Sequence, residues 1–455
     1  MKKTVNHILA AGLLALLSLA SCTDEFIEGN DLQGVDRDKR VEVRLPFGVG
    51  RGITTTITTR AAGGEIDYDS QLSGVMAFVY EAKSDNPEEN ELLAYHLFSN
   101  PSNKPLEGAT GGWIADNDDP TCGEIKFYVP VGDVYIYLLG NAQSSFLNFF
   151  PGVSGGDALG TQAEFFEKAT PKWNGNIHSV DGYLPLTGMV NNNTGLCHVN
   201  EQGQISYTDE EGKTHTLLPD GKHDEDNSFV LKRLMSKITM NIREGKGVKF
   251  TARDYTVRHI PHYVSPTAQA WTEEERDRIL VEDAKPVNFG LLDSLTFTIY
   301  LPENIRKVRP GVEITEYRQR DKVVKTADNK NTEETAPDDF HADNADNHKG
   351  HYKFEFAPKA STYIELTGWF ENADKTVAAD VRYYIHLGNF GKDLNHFSVE
   401  RDHHYTYNVT INGVDDIVVE VEDENEKTPG AEGVVFKHEA FAHIDAHFDQ
   451  VEMKF

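Results

Sequence analysis

The most regular alternation in the chain runs from 41 to 49. Val41, Val43, Leu45, Phe47 and Val49 share one parity, and Glu42, Arg44, Pro46 and Gly48 take the other. A period of two marks a strand with one buried and one wet face. The β-branched run 53–59 carries the segment on to Arg60, and Ala61-Ala62-Gly63-Gly64 then supplies a turn-prone, accessible loop. This pattern predicts a strand that fills a groove and is followed by a bond, Arg60 to Ala61, open to an Arg-specific protease. An ordinary first strand with a flexible linker is the plain alternative.

Further along, 75–80 (VMAFVY) reads as a buried strand, and 124–129 with 134–139 as a hairpin across Pro130-Val131-Gly132-Asp133. Residues 161–169 form a short helix candidate ended by Pro171, 184–189 is extended, and 206–227 reads as a polar insert. Leu234, Ser236, Ile238, Met240 and Ile242 alternate as a strand expected to close a first domain. In the second half Thr272-x-x-Glu275 is a capping box opening a short helix. Four alternating sets follow: Leu295 to Leu301; Tyr352, Phe354 and Phe356; Val381 to Leu387; and Tyr405 to Ile411. Residues 326–350, rich in Asp, Asn, Glu, Lys and Thr, read as a long mobile loop. Short strands, polar turns and few helices predict an all-β chain of β-sandwich type.

At 455 residues and 39% hydrophobic, the chain is too long for one core. Its net charge of -29 would repel phosphate backbones, which argues against nucleic acid as a partner. Lys2 and Lys3 precede an apolar run, 8–17, too short to span a bilayer but of the right length for a secretory signal. That run ends in Leu19-Ala20-Ser21-Cys22, which resembles a bacterial lipobox in which the Cys22 thiol accepts a lipid. Residues 1–22 are then a cleaved signal, and 23–40, polar and acidic, a tether. Beyond Cys22 only Cys122 and Cys197 remain; a disulfide between them is possible but not fixed by spacing.

Candidate chemistry is sparse. Gly152-x-Ser154-x-Gly156 has the letters of a nucleophile elbow, but Pro151 and Gly155-Gly156 deny it the strand and helix that geometry needs. Gly48, Gly50 and Gly52 lack the Lys-Ser/Thr of a phosphate loop and read as a flexible joint. His386, His396, His403 and His404 have no cysteine or paired acid at metal spacing, and 403 and 404 fall on opposite faces of a strand. Asp415 and Asp416 after Gly413 make a turn. No enzyme, cofactor or metal site is predicted.

The tail 433–455 follows an acidic, Pro-Gly-marked break at 423–430 and looks like an appendage. Ile444, Ala446 and Phe448 continue the parity of Ala442, and Val451, Met453 and Phe455 take the other after a slip at 449–450. These six are donor-strand candidates for a groove vacated by 41–49. The plain alternative is that the tail simply pairs with its own domain's sheet; the expectation is that it does both, lying along its own domain before assembly and entering the next subunit afterwards.

Taken together, the lipobox, the strand before Arg60, VPVGDVYIYLLGNA (129–142), LPLTGM (184–189), LKRLMSKITMNI (231–242), YLPEN (300–304) and RDHHYTYNVTINGVDDI (401–417) occur in an order similar to the fimbrillins of Bacteroidales, including the Mfa-like lipoproteins. That resemblance covers nearly the whole chain. It implies two tandem transthyretin-like β-sandwich domains with a few short helices, taken as 61–243 and 244–432. It further implies export as an outer-membrane lipoprotein through Cys22, removal of 23–60 by an Arg-specific protease, and donor-strand polymerisation with other fimbrial subunits, identical or different. The rival is a surface lipoprotein that keeps its first strand and binds glycan or protein ligands without polymerising. The acidic segment 326–350 departs from compact stalk subunits.

Overall fold

The computed structural model describes residues 39–443 apart from 50–70, 102–110, 116–120, 143–145, 150–158, 169, 179–182, 191–194, 210, 219–227, 268–279, 292–294, 309–310, 327–338, 342–350, 392, 424–437 and 441. Among the described residues the regular secondary structure is almost wholly strand, with two short α-helices. It divides into two compact units.

The first unit is formed by the described residues within Met1–Asn174, Ser179–Leu234 and Tyr263–Trp271. Its strands are β1 (Arg40–Val49), β2 (Gly74–Glu81), β3 (Leu92–Ser99), β4 (Trp113–Ala115), β5 (Cys122–Pro130), β6 (Gly132–Gly140), β7 (Leu147–Asn148), β8 (Lys172–Trp173), β9 (Leu186–Met189), β10 (Leu196–Val199), β11 (Ile205–Thr208), β12 (Thr214–Thr216) and β13 (Phe229–Arg233). Helix α1 (Gln162–Lys168) stands where the sequence places it. Eleven strands form one sheet, in the order β12-β11-β10-β6-β9-β13-β1-β5-β4, with β2 on the other side of β6 and β3 beyond it. Inward residues of β1 and β5 (Val43, Leu45, Phe47, Ile125, Phe127) meet those of β2 and β6 (Val75, Ala77, Val79, Ile136, Leu138) in one core, so the sheet folds over into two layers.

The expected hairpin at 124–139 is not one. Val131 alone separates β5 from β6, yet β5 pairs with β1 and β4 while β6 pairs with β2, β9 and β10. Both edges of β5 are taken, and Gly132 at φ 129° lets the chain step from one layer to the other. The expected insert at 206–227 likewise contributes β11 and β12 to the sheet, because Tyr207 and Leu217 are buried in the core. Gly48 is not part of a flexible joint either: it lies within β1, opposite Cys122 and Val230.

The second unit is formed by the described residues within Gly175–His178, Met235–His262 and Thr272–Phe455. Its strands are β14 (Met235–Glu244), β15 (Val248–Arg258), β16 (Ile260–Pro261), β17 (Val281–Glu282), β18 (Val287–Asn288), β19 (Thr296–Pro302), β20 (Val323–Thr326), β21 (Asp339–His341), β22 (His351–Phe354), β23 (Tyr363–Asn372), β24 (Ala378–His386), β25 (His404–Ile411), β26 (Ile417–Asp423), β27 (His438–Ala440) and β28 (Ala442–His443), with helix α2 (Tyr317–Arg320) between β19 and β20. Two five-stranded sheets, β19-β14-β25-β26-β27 and β18-β15-β23-β24-β28, form its framework. They face each other: Tyr255 of β15 stacks on Phe297 of β19, with ring centroids 3.9 Å apart. The alternating sets Tyr405, Tyr407, Val409, Ile411 and Val381, Tyr383, Ile385, Leu387 all point inward and are buried.

Three expectations change here. The strand expected to close the first domain, β14, belongs to the second unit, where it pairs antiparallel with β19 and parallel with β25. The chain passes between units at Leu234, the last residue of the first, whose N–H donates to Pro185 O. Residues 339–341, within the expected loop 326–350, pair as β21 with β22. Asp423, expected in an acidic break, is the buried last residue of β26.

Candidate functional site

β1 lies in a seat whose walls can be named residue by residue. Along one edge it runs antiparallel to β5 from Arg40↔Pro130 to Gly48↔Cys122. Along the other it runs parallel to β13 only at its end, Phe47↔Phe229 to Val49↔Leu231. Near its start, the turn between β10 and β11 comes so close that a Cβ on Gly203 would stand 2.1 Å from Glu42 O. Gly203, at φ 76°, is therefore held to glycine by both conformation and space.

Strand alternation sends Val43, Leu45 and Phe47 into the core, each 0% exposed, with Val41 and Val49 half-buried beside them. The Phe47 ring meets Trp113 edge-on at 5.0 Å between centroids. Room for that ring comes from Gly123, directly across the ladder, where a Cβ would stand 3.1 Å from Phe47 Cζ and 3.0 Å from Ile114 O. On the opposite face Arg44 sits across from Lys126, a like-charge pair, and reaches diagonally to Glu124, with Nε 2.8 Å and Nη2 2.6 Å from Oε2. Glu124 is almost fully buried, so the guanidinium is what makes its charge tolerable there.

The five predicted residues of the displaced strand thus lie together in one seat. The processing residues Arg60 and Ala61, the lipidation residue Cys22, and the donor-strand candidates Ile444, Ala446, Phe448, Val451, Met453 and Phe455 all lie outside the described residues. So do 152–156 and the capping box at 272–275. Of the tail, 438–440 pairs as β27 with β26, and 442–443 pairs as β28 with β24. Sequence reasoning did not single out the wall residues Gly123, Glu124, Lys126 and Trp113, since their role exists only once β5 and β4 lie beside β1.

Cys122 and Cys197, on β5 and β10, are buried and not joined by a disulfide. Burial pushes the Cys197 thiol up, away from thiolate chemistry. The four histidines each have local partners. His386 Nδ1 lies 2.7 Å from Asp321 Oδ1, and burial holds the imidazole below its usual pKa in spite of that carboxylate. His396 accepts from Asn389 N–H at Nδ1 and faces Glu400 through Nε2. His403 Nδ1 is 2.9 Å from Asp423; burial would lower its pKa, but the bond to Asp423 and the neighbouring Glu400 raise it. His404, on the opposite face, meets Thr239 Oγ1 at 3.0 Å. Among the described residues no group of three or more His, Cys, Asp or Glu is arranged to hold a metal ion.

Residues 299–409 match the model of a domain of unknown function, DUF4906. No curated protein matches the chain. Among solved structures, the tip fimbrial protein Mfa3 of Porphyromonas gingivalis is 14% identical, with 84% of this chain and 99% of that one covered and a TM-score of 0.40. The chain resembles fimbrial and cell-adhesion proteins. A candidate cell-adhesion protein of Parabacteroides distasonis is 11% identical, with 88% and 98% covered and a TM-score of 0.42. A candidate adhesin of Bacteroides ovatus is 10% identical, with 87% and 96% covered and a TM-score of 0.33.

Proposed function

We propose that this chain is a subunit of a cell-surface fimbria that supports adhesion: exported as an outer-membrane lipoprotein through Cys22, cut after Arg60, and assembled by replacement of β1 with a strand from another subunit. The observation that carries this reading is the way β1 is held. Its three core side chains contribute about 5–9 kcal/mol of burial at roughly 1.5–3 kcal/mol each, comparable with the whole stability of a domain. Its covalent link onward to β2 runs through 50–73, which contains Arg60. A cut there leaves β1 attached by main-chain pairing and packing alone. An empty seat would expose both ladder edges and an apolar slot, the condition under which an incoming strand gains affinity from the main chain and register from its side chains.

Arg44 is poorly placed for cleavage: its backbone is in the β5 ladder and its side chain is on Glu124. Arg51 and Arg60 lie beyond the strand. Terminal sequencing of surface-extracted protein should find Ala61 first, and deletion of 450–455 should leave that cut intact while abolishing SDS-resistant ladders. A mature N-terminus at Gly52, a full-length lipidated species in every extract, or normal ladders from the deletion variant would overturn the reading. The full-length result would favour a non-polymerising surface-binding lipoprotein.

A further inference from the structure

β23 is the middle strand of the sheet β18-β15-β23-β24-β28, and its outer face is covered at one end and open at the other. At the covered end Tyr363 is buried against Phe354 of β22, with ring centroids 5.0 Å apart. Next along the face, Glu365 is almost fully buried between two guanidinium groups, Oε2 lying 3.1 Å from Arg258 Nε and Oε1 3.4 Å from Arg382 Nε. At the open end Trp369 is 41% exposed, standing between Thr251 on β15 and Asp380 on β24. We propose that this open end, with the Trp369 indole as its floor, binds a neutral pyranose ring of a glycan. The site belongs to the second unit alone, so binding requires neither cleavage nor strand replacement.

The surroundings of the ring fit that ligand. Beneath it β23 is pressed onto the core: a Cβ on the adjacent Gly368 would stand 2.5 Å from the Phe250 ring, so the indole has a rigid base. Beside it the ladder is irregular between Ala252 and Asp254 of β15. That bulge adds Arg253, whose guanidinium crosses β23 to pair with Asp380 on β24, both side chains being more than half exposed. Glu371, two residues beyond Trp369 on the same face, pairs with Lys375 at 3.6 Å. The indole is therefore framed by ion pairs that offer donors and acceptors side by side. A pyranose has the complementary make-up. Its C–H groups gather on one face, which packs on an aromatic ring, while its equatorial hydroxyls each donate and accept, so that a guanidinium and a carboxylate can engage neighbouring ones together. Charge favours a neutral sugar, because each cation of the frame is matched by a carboxylate and the net charge of -29 opposes an anionic ligand. A protein partner would need a far larger apolar patch than one ring bounded by ion pairs.

The test uses the full-length, uncut chain carrying Arg60→Ala, applied to a panel of immobilised oligosaccharides that end in neutral hexoses or N-acetylhexosamines, with sialylated and sulfated counterparts alongside. Binding to at least one neutral member is expected. Trp369→Ala should weaken it at least about tenfold while the protein keeps a cooperative melting transition, since the side chain is not part of the core. Trp369→Tyr, which keeps a ring, should hold the loss to about threefold. Asp380→Asn, which takes the carboxylate from beside Arg253, should weaken binding about three- to tenfold. No binding to any neutral member, binding that survives Trp369→Ala, or a preference for the sialylated or sulfated set would overturn the proposal. Self-association that sedimentation detects in the parent and not in Trp369→Ala would assign the ring to a second copy of the chain and overturn it as well. None of these measurements reads ladders, so failure here leaves strand replacement standing, and failure of strand replacement leaves the sugar site standing.

Discussion

Replacing Leu45 by Ala separates the precursor from the polymer. Leu45 is 0% exposed, opposite Ile125 in the ladder and in the same core cluster as Val43 and Phe47. Removing its isobutyl group from such a site costs about 2–5 kcal/mol, the upper end applying where neighbours cannot close in. Here they are strands locked in a ladder, so the upper half of that range is expected. At about 2–4 °C per kcal/mol for a unit of this size, the uncut precursor should melt about 7–20 °C lower. Arg60→Ala in the same background would keep β1 in place for the measurement, made by differential scanning calorimetry or by circular dichroism. On the proposed strand replacement β1 is absent from assembled fimbriae, and Leu45→Ala should then leave their resistance to heat and SDS unchanged. A precursor that loses less than about 1 kcal/mol would refute the seating of β1. Fimbriae weakened as much as the precursor would refute its removal.

Gly123→Val should lower the melting temperature of the uncut precursor, because the added carbons occupy the ring space used by Phe47 and would also press on Ile114 O; a precursor that melts like the parent would refute that packing. In the second unit Arg320 is fully buried, with Nη1 on Leu394 O, Nη2 3.0 Å from Leu387 O and its guanidinium 3.8 Å from the Phe397 ring centroid. Arg320→Lys keeps the charge but not the fork, and should cost about 2–4 kcal/mol by urea unfolding. Burial lowers the His259 pKa to about 4, against 6.5 when unfolded. The unfolded chain therefore binds the proton first, and His259 contributes stability that is present above pH 6.5 and lost toward pH 4, at most about 1.4 kcal/mol per pH unit. His386 acts in the same direction. His403, with its pKa raised, acts oppositely, its contribution being complete below 6.5 and lost as pH rises through its folded value. His259→Asn, which suits the left-handed backbone at φ 58°, should reduce the acid-side slope in melting experiments across pH 4–6.5; an unchanged slope would refute the assignment.

What the sequence determined by itself is local. The parity of 41–49 included the three side chains that β1 sends into the core, although Pro46 on the other parity is buried as well, and the alternations at 381–387 and 405–411 named the inner faces of two strands in the second unit, because a strand's faces depend only on its own period of two. Pairing partners depend on residues far along the chain, and there local signals misled. Pro130-Val131-Gly132-Asp133 has the composition of a hairpin turn, but a turn requires only that the chain reverse, and which edge each strand then meets was decided by β1, 80 residues earlier, lying against β5. The same holds for β14: its alternation was legible, but its place in the second unit follows from its pairing with β19 and β25. The opposition of Arg44 to Lys126 and the burial of Glu124 are invisible without register. Tertiary structure alone set those charges across from one another, because registry between strands is fixed by core packing and not by either strand's own sequence.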